Sequence, residues 1–454
     1  MRRKDVNMLE GSIVKGLLRL SVPIMIMNVV QSLFNIIDMT TLKTFDTGGG
    51  IAIGAVGGCG SLIVLITGLV IGISTGANVT IARKIGQRDQ AGADKAIASS
   101  VAFSLVAGII LAVLGVSGAE LFLRWTNCPD KLLSQATLYF RLYFAGVPLL
   151  MVYNFCAAIL RASGDSRRPM IFLIVGGLVK IFLTYVFVSQ FHMDVAGVAV
   201  STIISWAISA VLGASALIRN EGAVKIRLNN IRFYKKETRQ ILHIGVPAGL
   251  QQGLYAIANV IITATVNSFG PEATTGISIA NNYDGILYHI CSATSFAVMP
   301  YVSQNVGAGN AKRAIQCVWK GILITMAFGM SLGTLSSVFC ESLASIMASD
   351  PVVIDYSNQK MTIISCTYFI CGIADILGAA LRGMGKPVVA TITTMLYMCV
   401  LRFVWVYFIF PMMPNLTFLY LVWPIGWTLS VITLTIVLIP TAKKLKQQTI
   451  ASNA

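Results

Sequence analysis

The chain has 454 residues, of which 56% are hydrophobic and only 11% are charged, and its mean hydropathy is +0.77. A water-soluble domain carries about a quarter of its residues charged, so this composition excludes a soluble globular protein. The formal net charge of +16 comes from basic residues that cluster between apolar segments. That distribution indicates a membrane protein rather than a nucleic-acid-binding one.

Apolar runs of roughly 20 residues or more, the length with which a helix crosses about 30 Å of hydrocarbon, recur along the whole chain. We predict twelve spans, at 13–40, 51–79, 93–116, 133–160, 169–189, 195–218, 240–268, 275–303, 314–338, 356–381, 388–410 and 416–441. Short segments of alternating hydrophobicity are not found, so a membrane β-barrel is not expected. The sequence therefore predicts an all-α polytopic membrane protein with twelve transmembrane helices.

The two halves of the chain resemble each other. Arg161 in the segment AILRASGD matches Arg382 in AALRGMGK, and Pro23 in the first span matches Pro247 in the seventh. A polar, basic stretch separates the halves. We predict three regions: an amino-terminal lobe over 1–218, a cytoplasmic linker over 219–239 and a carboxyl-terminal lobe over 240–454. Six spans return the chain to its starting side, so the lobes are expected to be parallel repeats with a pseudo-two-fold axis along the membrane normal, as in a transporter.

The basic residues predict the orientation of the chain. Lys180 and Arg402 lie inside predicted spans, and five further basic residues lie outside or near the outer ends of helices. These five are Lys43, Arg124, Lys131, Arg141 and Lys360. Of 34 Lys and Arg residues, 34 − 2 − 5 = 27 then lie on the side of the amino terminus. The positive-inside rule places that side, and both termini, in the cytoplasm. We therefore expect a multi-pass protein of the bacterial inner (cytoplasmic) membrane in contact with anionic lipid.

Few charged residues lie inside the predicted spans, and these are the candidates for ion coupling and substrate binding. A lone charge at the bilayer centre costs about 2.5–3.5 kcal/mol even on insertion scales, so each should face a partner, water or the bundle interior. The charged candidates are Asp38 and Lys180 in the amino-terminal half, and Asp284, Asp375 and Arg402 in the carboxyl-terminal half; the neutral Asn154, which repeats Asp375, is a further candidate. Lys180 and Arg402 occupy equivalent positions of the repeat, so each half has a buried base with at least one acid.

Two interpretations stay open for these charges and for their neighbours. Lys180 with Asp38, and Arg402 with Asp375, could be structural ion pairs that fix the register of the helices. Aromatic side chains and two repeat-related asparagines could line a permissive cavity, or could serve only in helix packing. The residues considered for the lining are Asn35, Phe155, Tyr255, Asn259, Tyr283 and Tyr288.

Over essentially its whole length, the chain resembles the multidrug and toxic compound extrusion (MATE) transporters of the clostridial kind. The segments that carry the resemblance are QSLFNIID at 31–38, GISTGANV at 72–79, YNF at 153–155, LRASGDS at 160–166 and AALRGMG at 379–385. The resemblance implies two six-helix lobes in a V, alternating access, and export of drug-like molecules driven by H⁺ or Na⁺ entry. It also implies a cation site in the amino-terminal lobe, to which Asp38 and Asn154 would map.

The chain departs from these relatives on the fifth span. Many of them have Asn followed four residues later by Asp, whereas this chain has Lys180 and Thr184, which share one helix face. An ammonium beside Asp38 would hold that carboxylate ionised and repel Na⁺. We hypothesise that Lys180 is a tethered cation in the place of the mobile ion. Coupling would then be lost, moved to the other lobe, or turned into proton exchange through Lys180.

The function predicted is a secondary active multidrug antiporter that exports organic, in particular cationic, compounds in exchange for H⁺ or Na⁺. In the carboxyl-terminal lobe, Asp284 and Asp375 would recognise substrate cations or carry protons, with Arg402 tuning them. The alternative is a lipid or lipid-linked precursor flippase of the wider MOP superfamily, since buried cations also suit an anionic head group. An enzyme is not expected, because no metal-ligand spacing and no nucleophile with a base occurs. We expect a monomer that acts on small organic substrates, without nucleic acid, metal or cofactor apart from the coupling ion.

Overall fold

The computed structural model describes residues 6–45, 51–126 and 128–453. Nearly all of this backbone is helical, and these three ranges contain no β-strand. The basic residues Arg2, Arg3 and Lys4, which the sequence places on the cytoplasmic side, lie outside the described residues. The predicted all-α class is confirmed.

Twelve long helical segments follow one another. The first six are α1 (Ile13–Phe45), α2 (Ile51–Gly86), α3 (Gln90–Trp125), α4 (Asp130–Ala162), α5 (Arg167–Ser189) and α6 (Asp194–Ile218). Then come α7 (Lys235–Asn267), α8 (Pro271–Gly307), α9 (Ala311–Val338), the short α10 (Cys340–Ser345) and α11 (Pro351–Gly383). The last are α12 (Pro387–Met395), α13 (Leu401–Val404), α14 (Leu416–Tyr420) and α15 (Val422–Asn453). Two π-helical turns, Leu396–Val400 and Trp405–Ile409, join α12 to α13 and continue beyond α13.

Eleven segments of the described chain are long and apolar enough to cross a membrane. The region from α12 through the second π-helical turn counts as one of them (Pro387–Met412), and α14 with α15 as another (Leu416–Ile450). The twelfth predicted span corresponds to α7, which has 33 residues but is less apolar because it carries polar residues such as Gln251 and Asn259. All twelve predicted spans are therefore helices in the structure.

The chain forms two compact units. Unit 1 consists of Met1–Met25, Gly86–Arg88 and Leu250–Ala454, and unit 2 of Ile26–Ile85 and Asp89–Gly249. The division into two lobes at 219–239 stays a prediction. The compact units have other boundaries, and two of these lie inside α1 and inside α7.

Two of the divisions, inside α1 and inside α7, lie just after a proline, and the others enclose Gly86–Arg88 at the junction of α2 and α3. Met25 and Gly249, the last residues before the first two divisions, follow Pro23 and Pro247 by two positions. A proline inside a helix removes one backbone hydrogen bond and permits bending. The repeated prolines thus coincide with the points at which α1 and α7 pass from one unit to the other.

The first part of α1 belongs to unit 1 because its apolar face packs there. Leu17 and Leu20 are buried in one cluster with Val298 and Tyr301 of α8. The side-chain amide of Asn305 donates a hydrogen bond of 3.0 Å to the carbonyl oxygen of Met8, just before this helix. These contacts link segments almost 300 residues apart, which hydropathy alone does not predict.

The predicted linker is packed against unit 2 rather than extended in solvent. Val224 and Ile226 are buried in the hydrophobic core of that unit. The backbone N–H of Tyr234 donates a hydrogen bond of 3.0 Å to the hydroxyl oxygen of Ser99 on α3, and Arg227 lies 3.6 Å from the carboxylate of Asp94. Apolar residues spaced between the basic ones therefore attach this segment to unit 2.

Glycines bring α2 and α7 into backbone contact within unit 2. A Cβ atom on Gly72 would lie 2.4 Å from the Cα of Gly249, and one on Gly76 would lie 2.1 Å from the carbonyl oxygen of Ile241. Gly72 and Gly76 are four residues apart, as are Gly245 and Gly249, and small residues at this spacing let membrane helices approach closely. The two glycine pairs thus determine how closely these helices pack.

We expect Gly76→Ala to lower the stability of the protein. Because the added methyl group would meet backbone that cannot rotate away, the overpacking should cost about 1–3 kcal/mol. The matched control is Gly60→Ala on the same helix, where a Cβ meets nothing within 4 Å; alanine there should leave stability unchanged or raise it by up to about 1 kcal/mol. Thermal unfolding of the purified variants in detergent measures the difference, and equal melting temperatures would contradict the close contact.

Candidate functional site

The structure joins Asp38 of α1 to Lys180 of α5 in a buried ion pair within unit 2. The ammonium nitrogen of Lys180 lies 2.5 Å from Oδ2 of Asp38, and the two residues are only 8% and 7% exposed. Two charges taken out of water in this way are tolerated because they neutralise each other. The side chain of Lys180 therefore occupies the position beside Asp38 that the sequence predicts for it.

The neighbours of this pair are polar and buried. Thr184, one turn along α5 from Lys180, is fully buried, and its hydroxyl shares a hydrogen bond of 2.6 Å with that of Ser201 on α6. It also lies close enough to interact with the carboxylate of Asp38. Asn154 is different: its side-chain amide donates to the carbonyl oxygen of Leu150, 2.9 Å away on the same helix. Three of the four candidates in this half therefore lie together, and Asn154 bonds within α4.

This arrangement places a positive charge directly against the carboxylate of Asp38. Oδ1 of Asp38 has no hydrogen-bond partner within the described part of the chain, but Oδ2 is occupied by the ammonium of Lys180. A sodium ion approaching the free oxygen would be repelled by that ammonium over a few ångströms in a medium of low dielectric constant. The pair therefore disfavours Na⁺ at Asp38.

A second buried ion pair lies in unit 1. The ammonium nitrogen of Lys360 on α11 lies 2.9 Å from Oδ2 of Asp284 on α8, and both residues are 4% exposed. The same ammonium donates to the side-chain oxygen of Asn281, and the hydroxyl of Ser365 lies 3.5 Å from Oδ1 of Asp284. Asp284, predicted as a site residue, thus has a lysine partner.

Lys360 is a residue of this site that was not predicted from the sequence. It places this lysine near the outer end of a helix, but the structure buries it inside α11, where it neutralises Asp284. One signal could have found it, because a lone carboxylate within a span needs a partner and Lys360 lies within a helix of the same half. In the repeat, however, the position equivalent to Lys180 is occupied by Arg402 and not by Lys360.

Arg402 lies in α13, between the two π-helical turns, and such turns often mark functional sites. It is 1% exposed, and its Nη1 donates a hydrogen bond of 2.5 Å to the side-chain oxygen of Asn259. The guanidinium carbon lies over two aromatic rings, 4.8 Å from the centroid of Tyr255 and 5.2 Å from that of Trp423. The partners of this arginine are therefore a neutral amide and two rings.

The proposed structural pair of Arg402 with Asp375 is not formed among the residues that the structure describes. Asp375 is half-buried on α11, and the basic residue with which it interacts is Arg382, seven positions further along the same helix. Positions seven apart lie on one face of a helix, two turns away. Arg402 lies instead against Asn259, the residue that repeats Asn35.

A cavity of about 350 Å³ lies within unit 1 beside these residues. Its wall is formed by α7, α8, α11 and the region of α14 and α15. The lining residues that matter for its chemistry are Tyr255, Asn259, Asp284, Tyr288, Lys360 and Trp423. Three residues considered for a cavity lining, Tyr255, Asn259 and Tyr288, are among them. The cavity is aromatic and carries ionised groups inside membrane-spanning helices.

The other three lining candidates lie elsewhere. Phe155 is fully buried in the core of unit 2, with its ring 5.9 Å from that of Phe103. Tyr283 donates a hydrogen bond of 2.8 Å to the carbonyl oxygen of Leu343, and Asn35 is exposed on α1. For Phe155 and Tyr283, the structure therefore favours the packing interpretation.

Comparison with known proteins identifies the class of this helical membrane protein. The family model described as MatE matches residues 23–186 and 247–408, which together cover more than half of the chain. The chain belongs to the MatE family, a family of membrane transporters.

Individual relatives agree over most of the sequence. The protein is 26% identical to the probable multidrug resistance protein YpnP of Bacillus subtilis, over 88% of this chain and 89% of that protein. It is 27% identical to the probable multidrug resistance protein NorM of Thermotoga maritima, over 84% and 82% of the two chains. A solved structure, described as the outward-facing conformation of a multidrug resistance MATE family transporter of the MOP superfamily, matches with a TM-score of 0.91 and 22% identity, covering 98% and 100% of the chains. At that identity the structural likeness shows the fold alone.

Proposed function

We propose that this protein is a secondary active multidrug efflux transporter, which exports organic compounds by alternating access in exchange for a cation. The observation that carries the proposal is the aromatic, charged cavity of about 350 Å³ inside membrane-spanning helices. Its volume lies in the range of sites for drug-sized molecules, roughly 300–1,000 Å³. Membership of the MatE family and relatives named as multidrug resistance proteins support the same function and do not favour the flippase alternative.

We infer that the coupling ion is H⁺ rather than Na⁺. This choice is supported by the ion pair of Lys180 with Asp38, whose charged atoms lie 2.5 Å apart. The ammonium group of Lys180 repels Na⁺ from the carboxylate of Asp38. Protons can still be exchanged, through the Lys180–Asp38 pair itself or through Asp375, which interacts electrostatically with Arg382 in unit 1. The choice between these two carriers is left to experiment, with Asp375 as the first residue to replace.

We place the protein in the bacterial cytoplasmic membrane with both termini in the cytoplasm. The support is the excess of Lys and Arg residues on one side of the predicted spans, 27 of the 34 against four on the other side once the buried Lys360 is set apart with Lys180 and Arg402, which follows the positive-inside rule. Small organic molecules and anionic membrane lipid are the partners that this composition suits. We expect the chain to act as a monomer, without nucleic acid and without a cofactor other than the coupling ion.

The experiment that tests this function is efflux of a panel of fluorescent compounds from cells that lack other exporters. Ethidium, rhodamine 123 and carboxyfluorescein cover both signs of charge. We expect energy-dependent efflux of more than one compound, abolished by a protonophore and unaffected by a sodium ionophore. Cells without the protein are the control. Retention of every compound under all gradients would contradict the exporter, and efflux that stops only with the sodium ionophore would contradict proton coupling.

A further inference from the structure

We propose that the cavity of unit 1 binds an acidic group, such as a carboxylate, phosphate or sulfonate, carried by an aromatic substrate. The exporter would then prefer anionic or zwitterionic aromatic compounds to the simple organic cations that the sequence suggests. This inference rests on the proposed function, because it names the substrate class of the same transporter. It concerns the charge of one cavity, however, and binding measurements test it separately from transport.

The first support is the balance of charge around the cavity. Of the residues that line it, Lys360 and Asp284 are ionised and neutralise each other at 2.9 Å. Arg402 is not among the lining residues but contacts three of them, Tyr255, Asn259 and Trp423, and its hydrogen-bond partner is the neutral Asn259. Among the residues that the structure describes, no ion pair joins this arginine to a carboxylate. Arg402 therefore has no carboxylate in direct contact with its guanidinium group.

The repeat provides an internal comparison for Arg402. Lys180 occupies the equivalent position in the other half, and there the positive charge is compensated by Asp38 at 2.5 Å. The carboxylate nearest in sequence to Arg402, Asp375, interacts with Arg382 instead. A buried charge without a counter-ion is costly, and Arg402, unlike Lys180, has no carboxylate in contact with it. An anionic ligand would supply the counter-ion.

The second support is a set of buried donors that lack acceptors. Nη2 of Arg402 and the hydroxyl of Tyr420 have no hydrogen-bond partner within the described part of the chain, and the two residues are 1% and 0% exposed. Tyr420 lines the cavity. An ionised acidic group only accepts hydrogen bonds, and bonds in which both groups are charged are the stronger ones. Such a group in the cavity would accept a hydrogen bond from Tyr420 and would be attracted by the positive charge of Arg402.

The third support is the position of the aromatic rings. The ring of Trp423 has the ammonium of Lys360 at 6.0 Å and the guanidinium carbon of Arg402 at 5.2 Å from its centroid. An organic cation would seek the face of such a ring, but here two fixed cations already lie over it. An aromatic ligand can contact the remaining ring surface of Tyr255 and Tyr288 while its acidic group approaches the cations. The walls thus suit an aromatic anion and disfavour a cation.

Two dyes with the same xanthene ring system test the proposal. Carboxyfluorescein is anionic and rhodamine 123 is cationic, so a difference in their binding reports mainly on charge. Fluorescence anisotropy of each dye is measured with the purified full-length protein in detergent. We expect carboxyfluorescein to bind at least tenfold more tightly than rhodamine 123, and to be displaced by benzenesulfonate but not by tetraethylammonium.

Variants then locate the site. Arg402→Gln keeps a partner for Asn259 but removes the charge, and we expect it to weaken carboxyfluorescein binding about tenfold, because the cavity loses the attraction of a nearby buried positive charge. The matched control is Arg124→Gln, since Arg124 is an exposed arginine on α3 that pairs with Glu120; its affinity should equal that of the parent. Size-exclusion chromatography and thermal unfolding verify that both variants are folded.

The proposal is overturned if rhodamine 123 binds more tightly than carboxyfluorescein, or if Arg402→Gln changes carboxyfluorescein affinity by less than twofold. The outcomes separate it from the proposed function. Binding of carboxyfluorescein that depends on Arg402, without export of any dye, would support the anion site and contradict the exporter. Export and binding of cationic dyes alone would support the exporter and overturn the anion site.

Discussion

Replacement of Lys180 by Asn is expected to make the protein sensitive to Na⁺. In the parent, the ammonium at 2.5 Å neutralises Asp38. Without it, both oxygens of Asp38, the hydroxyl of Thr184 and the carbonyl oxygen of the new amide become available, and hard cations prefer such oxygen ligands. Na⁺ at about 100 times its Kd would stabilise the folded variant by about 2.7 kcal/mol. Thermal unfolding in NaCl and in KCl, followed for the parent and the variant, measures this effect.

Lys180→Met is the control for that experiment. It removes the same charge and adds no oxygen ligand, so its response to Na⁺ should be smaller than that of Lys180→Asn. In KCl both variants should be less stable than the parent by about 3–5 kcal/mol, since each leaves Asp38 buried without its counter-ion. In efflux, Lys180→Asn should lose its exclusive dependence on the proton gradient. The tethered-cation hypothesis is abandoned if the parent and Lys180→Asn respond identically to Na⁺ and to pH.

Asp284→Asn is expected to destabilise unit 1 strongly. Lys360, which is 4% exposed, would remain as a buried charge without its carboxylate, and the loss of one partner of a buried pair costs about 3–5 kcal/mol. The matched control is Glu120→Gln, which breaks the pair with Arg124 on the surface, where the two side chains are 52% and 57% exposed. That change should cost at most about 1 kcal/mol. Unfolding of the purified variants in detergent compares them.

The double variant Asp284→Asn with Lys360→Met completes this test. Because it removes both charges, it should recover most of the stability that Asp284→Asn loses. The binding of carboxyfluorescein provides an independent check, since Asp284→Asn leaves two uncompensated cations beside the cavity and should tighten anion binding. Equal losses for Asp284→Asn and Glu120→Gln, or no recovery in the double variant, would show that this buried pair does not stabilise unit 1.

The sequence alone was enough to predict features that depend on neighbouring residues, above all the membrane-spanning helices. A helix that crosses lipid must satisfy its backbone within itself and present apolar side chains, so each span is readable from its own residues, and all twelve predicted spans are helices. The repeat of Arg161 and Arg382, and the segments around Asp38, likewise indicated the family that the MatE match establishes. The contact of Lys180 with Asp38 could also be anticipated. The resemblance implies a cation site at Asp38, and Lys180 on α5 replaces a residue that belongs to this site in many relatives.

The tertiary structure decided what depends on residues far apart in the chain. The pairing of Lys360 with Asp284, the placement of Arg402 over Tyr255 and Trp423, and the passage of α1 and α7 between the two units have no local signature. Hydropathy reports how much a segment prefers lipid, but it does not report which helix faces which. Those pairings neutralise Lys360 but leave Arg402 without a carboxylate in contact. The positive charge beside the cavity could therefore be identified only from the packing of helices that are distant in sequence.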